Sequence, residues 1–156
     1  MSALLMNFQE IAQQTLVESN LLKSLVTGLR AALAWEVYGD DCSRKRSTLL
    51  FIAKSFQRHL ERLMTLEEID GYMDIVLETK PFLSKAVDSM KEDHDRFRRA
   101  ASLLVQRLSA ASPMDPHALD QIGADLTELL HRLDRHGKKE AKLFQEAFEQ
   151  EEGGEG

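Results

Sequence analysis

From residue 119 onward the apolar positions fall at Leu119, Ile122, Leu126, Leu129 and Leu133. The steps alternate between three and four, the seam of a helix packed against other helices. The next two steps land on His136 and Glu140, and the apolar pattern resumes at Leu143 and Ala147. A histidine and a carboxylate thus share the inward face, one turn apart. An ionised carboxylate is costly to bury alone, so the pattern predicts a compensating partner.

The same periodicity predicts three more long helices. Helix A runs from about Phe8 to Tyr38, with Leu22, Val26, Leu29 and Leu33 inward, and GDDCS ends it. Helix B starts near a capping Ser43 and continues to about Glu68, with Leu49, Ile52, Phe56, His59, Leu63 and Leu66 as its seam. IDGYMDIVLETK reads as a bent connector with room for a short helix. Helix C opens at Pro81 and ends near Ala111; its seam is Leu83, Val87, Met90, His94, Phe97, Ala101, Leu104 and Leu108. Helix D follows SPMDP, capped by Asp115 and started by Pro116, and reaches about Gln150. Four such helices with short connections predict an all-α, up-down-up-down four-helix bundle. One domain is expected over residues 1–150, with a disordered acidic tail at 151–156.

Three of the five histidines lie on seams: His59, His94 and His136. His117 and His131 lie off them and are expected in solvent. His94 and His136 sit roughly 25 to 29 Å from the C–D connection at ~1.5 Å per residue, which predicts equal heights in an antiparallel pair. The halves of the chain look duplicated. His94 and His136 are 42 residues apart; Ser19 and Leu63, followed by Glu67 and Glu68, are 44 apart.

Composition narrows the function. The 156 residues suffice for one core, and three prolines with eight glycines leave little punctuation for a sheet. A net charge of −6 without a dominant basic face disfavours nucleic acid. No stretch approaches the ~20 apolar residues that span a bilayer, and no signal-peptide pattern opens the chain. The single cysteine, Cys42, rules out an internal disulfide and suits a reducing cytoplasm. Other features have bland explanations. Met64, Met73 and Met90 suit core filling rather than haem, for which no attachment motif exists. The RKR run at 44–46 is unfavourable at a helix start and is expected to face solvent, the acidic tail or an anionic partner. Asp70 and Tyr72 could reach the mouth of a site, but a ring capping the core is the simpler use of Tyr72.

Three stretches, EDHDRFRR at 92–99, HGKKEAKLF at 136–144 and LMTLEEIDGYM at 63–73, resemble the hemerythrin family, specifically its HHE cation-binding domain. The likeness covers about residues 10–148. It implies a four-helix bundle holding two carboxylate-bridged non-haem irons. It further implies oxygen binding, oxygen or redox sensing, or iron handling. Carried over, His94 matches the third-helix histidine, His136 and Glu140 the fourth-helix His-x-x-x-Glu, and Glu67 the second-helix glutamate. Ser19 and Leu63 stand where first- and second-helix histidines are expected, and Arg98 fills a place that some members give to another histidine. The resemblance therefore implies a reduced set: Glu67, His94, His136 and Glu140, fit for one iron, manganese or zinc ion rather than two. His59 could replace a lost histidine only if helix B shifts by about 6 Å, one turn; a core histidine bonded to a glutamate is the alternative. Dioxygen or another small ligand at the metal is the implied partner. The alternative for the whole chain is a metal-free structural or interaction bundle whose inward groups pair with one another. A third option, an iron oxidase or peroxidase, finds no substrate pocket in the sequence to support it.

Overall fold

A computed structural model describes residues 8–39, 41–113 and 115–149. The expected tail at 151–156 lies outside the described residues. Five helices follow one another: α1 (Phe8–Ala34), α2 (Asp41–Glu68), α3 (Tyr72–Thr79), α4 (Ser84–Ala110) and α5 (Pro116–Phe144). A 3-10 turn, Pro81–Leu83, leads into α4, and a π-helical turn, Gln145–Glu149, ends α5. The four long helices form the all-α, up-down-up-down bundle. α1 packs on α2, α2 on α4 and α4 on α5, while the α5–α1 seam is the loosest. Among the described residues no helix is long and apolar enough to cross a membrane.

The ends have local causes. Asp115 caps α5 by accepting a hydrogen bond from the Ala118 amide at 3.1 Å, and Pro116 supplies the first turn. α2 begins at Asp41, two residues before the expected cap, so Ser43 lies inside the helix. α1 ends at Ala34 rather than Tyr38. The RKR run meets the chain at this end. Lys45 donates to the carbonyls of Leu33 (3.1 Å) and Trp35 (2.7 Å), acceptors with no partner within the helix. Arg46 donates to Leu108 O at 2.7 Å, near the end of α4. Only Arg44 is left to solvent, beside Asp41. Two cations of this run thus cap two helix C-termini, where positive charge is favourable.

The seams of α4 and α5 are buried as their spacing predicts, with Leu133 and Glu140 partly so. That of α2 is turned by about one residue. Its buried line is Leu49, Ala53, Phe56, Leu60, Met64 and Glu67, and Ile52, His59, Leu63 and Leu66 flank it. Both lines have helical spacing. α2 has α1 on one side and α4 on the other, so packing on two neighbours uses both. Met64, Met73 and Met90 fill the core.

The core falls into two apolar clusters. The larger includes Leu29, Phe56, Leu60, Met64, Phe97, Leu108 and Leu126. The smaller gathers Met73 and Val76 of α3, Leu83, Val87 and Met90 of α4 and its lead-in, and Leu143 and Ala147. Between Met90 and Phe97 on α4, and between Leu133 and Leu143 on α5, the buried surface is polar.

Candidate metal centre

That polar layer contains His94, His136, Glu67 and Glu140. His94 and His136 are buried, and their ring centroids are 5.0 Å apart, as equal heights require. Phe97 packs edge-on against His136 at 5.2 Å. The four groups line one cavity of about 390 Å³, whose apolar wall includes Leu22, Leu60, Met64 and Phe97. Ser19 and Leu63, the counterparts of the two histidines in the first half of the chain, line the same cavity.

Each imidazole is held from behind by a carboxylate. His94 Nδ1 lies 2.5 Å from Glu68 Oε2, and His136 Nδ1 lies 2.9 Å from Asp93 Oδ2. An ionised carboxylate only accepts, so both Nδ1 atoms carry a proton, and in the neutral imidazole that leaves the lone pair on Nε2. Each carboxylate is fixed by a cation: Arg98 donates to Glu68 at 3.1 Å, and Lys139 to Asp93 at 2.7 Å. This arrangement of histidine, carboxylate and cation recurs behind metal-ligating histidines, where it sets tautomer and ring orientation.

The forward nitrogens have no such bond. His94 Nε2 and His136 Nε2 are buried with no hydrogen-bond partner. The nearest carboxylate oxygens are Glu67 Oε1, 3.5 Å from His94 Nε2, and Glu140 Oε2, 3.7 Å from His136 Nε2. Lone pair faces lone pair across both gaps, so only a proton or a cation between them makes them attractive. Two donor atoms each about 2.1 Å from one ion at a tetrahedral angle stand about 3.4 Å apart. Both gaps are near that spacing, and the donor set of two imidazoles and two carboxylates fits a transition metal. The set is not closed: among the described residues no group of three or more His, Cys, Asp or Glu is drawn around one metal position. Glu67 and Glu140 instead hydrogen-bond each other.

Burial is the chief cause of the shifted acidities here. It pushes the Glu67 carboxyl up to about 10, helped by the charge of Glu140, the bond to it, and the charge of Glu68. Burial also raises the Tyr72 phenol, with Glu140 and Glu67 adding to the effect. His94 is held below the usual histidine range by burial, against the bond from Glu68 and with help from the charges of His136 and Arg98. Asp93 is held low against burial: burial pushes it up, but the bonds and charges of His136 and Lys139 prevail.

His59 is not brought to this cavity. It lies on the flank of α2, with Nδ1 2.6 Å from Oε2 of the buried Glu18, which Arg62 also approaches at 3.4 Å. The glutamate-bonded alternative describes its position. Asp70 is exposed at the α2–α3 turn, where its amide donates to Asp74. Tyr72, whose simpler use was as a core cap, does more: its hydroxyl donates to Glu140 Oε2 at 2.9 Å. Glu68 and Asp93 escaped the seam pattern because they lie beside it. Their signal was adjacency, each being next in sequence to an inward Glu67 or His94.

A four-helix bundle crossed by a buried layer of paired histidines and carboxylates is the class of molecule these features define. The chain matches the family model described as the hemerythrin HHE cation binding domain over residues 19–148, and it belongs to that family. No curated protein and no solved structure gave a match to it.

Proposed function

We propose that this chain binds a single transition-metal ion, non-haem iron by family, through His94, His136, Glu67 and Glu140. The role proposed for it is oxygen or redox sensing, or iron handling. The observation that carries this is the pair of buried, unpartnered Nε2 atoms aimed into one cavity beside two carboxylates. When bound, such an ion supplies Lewis acidity and, for iron, one-electron chemistry with dioxygen or another small ligand. The chain's own residues do the rest. Glu68 and Asp93 fix both imidazoles in the Nδ1–H tautomer. Glu67 and Glu140 offset the charge of the cation. Leu22, Leu60, Met64 and Phe97 give the donors an apolar backing. With Ser19 and Leu63 in place of imidazoles, one ion is expected rather than two. The lone cysteine, Cys42, is buried and suits a reducing compartment such as the cytoplasm.

One observation favours a metal-free structural bundle instead: Glu67 and Glu140 already satisfy each other. Metal content separates the two. Full-length protein loaded anaerobically with ferrous iron is expected to hold about one ion per chain. Chelator is expected to lower the Tm of the parent but not of His94→Ala or His136→Ala. A ratio near zero, with equal chelator response in all three proteins, leaves the metal-free bundle standing.

A further inference from the structure

We propose that Tyr72 is a positioning residue of this centre, its hydroxyl clamping Glu140 so that the short helix α3 forms part of the site. The proposal rests on the metal-binding function above and extends it to an element outside the four long helices.

Three observations place Tyr72 there. The first is the bond itself. The phenol donates to Glu140 Oε2 at 2.9 Å, the same oxygen that faces the unpartnered His136 Nε2 at 3.7 Å. The second is how the ring is held. It meets Phe144, one turn beyond Glu140 on α5, edge-on at 4.7 Å. The ring is thereby braced by the helix whose carboxylate the hydroxyl holds. The third is the backbone that delivers it. Gly71 packs so tightly under the end of α2 that a Cβ there would stand 2.0 Å from Leu66 O and 2.6 Å from Glu67 O. The chain therefore folds back directly after Glu67 and Glu68, and the next residue, Tyr72, starts α3 over the polar layer.

The chemistry follows. Glu140 has three side-chain torsions and, without a clamp, would sample several carboxylate positions. One donor on Oε2 narrows that freedom, beyond what its neighbour Glu67 does, and keeps a lone pair of the same oxygen directed at the cavity. A phenol suits this task because it donates one proton and its ring fills apolar space. Partners of metal-ligating carboxylates of this kind typically alter metal affinity 10- to 100-fold.

The test compares full-length, metal-stripped parent with Tyr72→Phe, which keeps the ring and its Phe144 contact but loses the hydroxyl. Both are titrated anaerobically with Co(II) alone, following the d–d absorption, with far-UV circular dichroism to check the fold. The expected result is a Kd about 10-fold weaker for Tyr72→Phe, with an altered d–d spectrum, at unchanged helicity. An unchanged Kd and spectrum overturn the proposal, even if the Tm falls, because that is the mark of packing alone. A visible phenolate-to-iron band in the ferric parent, absent from Tyr72→Phe, also overturns it by making Tyr72 a ligand. No Co(II) binding by the parent overturns the metal-binding function together with this proposal, which sets that failure apart from the first two.

Discussion

Glu67 holds a proton that an unfolded chain would release. Its carboxyl is pushed up to about 10 in the fold, against an ordinary value of 4.5. The native state therefore binds more protons than the unfolded state across the range between. Stability from this group is full below pH 4.5 and is lost as pH rises toward 10. In chelator, the Tm of the parent is expected to fall between pH 5 and pH 9. Glu67→Gln has no proton to lose and can still donate to Glu140. Its melting curve should depend less on pH, and it should exceed the parent by roughly 4 °C or more at pH 8. Calorimetry of both proteins over that range checks the sign. His94, His136 and Glu140 were legible because they interrupt an apolar period at its own spacing; Glu67, one residue past the stated seam of α2, was legible only through the likeness of the two halves and the family motif. The carboxylates that hold them were not: Glu68 and Asp93 look like ordinary surface acids until α2, α4 and α5 are assembled. His59 shows the opposite case, and its bond to a glutamate was one of the two readings its spacing allowed. It keeps the spacing of a seam but serves Glu18 on the flank.

At the scale of elements, four helices and the capped start of α5 followed from periodicity and from Asp115-Pro116. The stop of α1 did not, and neither did the bonds of Lys45 back across the loop to carbonyls at its end. The rotation of α2 was equally hidden, since two lines of apolar residues compete and only its neighbours decide. The α2–α3 turn was legible as a break at IDG, but its close packing was not. Gly71 has φ −98, open to any residue, so the demand for glycine is one of space. Gly71→Ala is expected to lower the Tm by roughly 5 °C or more and to weaken metal binding by moving Tyr72. Melting and Co(II) titration of the same variant measure both effects. A loss of Tm without a loss of affinity would uncouple the turn from the centre.

For the whole molecule, the arrangement of the core matters more than its size. Two apolar clusters lie on either side of the polar layer, and that layer holds unpartnered nitrogens and carboxyl groups instead of packed methyl groups. Without an ion, its unpartnered nitrogens are expected to make cohesion across it weaker than within either cluster. In chelator, amides of α3 and of α4 around Val87 are expected to exchange faster than those around Leu104 and Leu126. With metal bound, the two groups should converge. Hydrogen exchange by mass spectrometry, with and without Co(II), measures this.

The polar layer thus acts like an unpinned joint between two blocks of masonry, and an ion seated there would be its dowel. Losing the ion would loosen one end of the rod while the other stayed rigid. Occupancy of the layer would in this way be felt at the α3 end, with no moving domain.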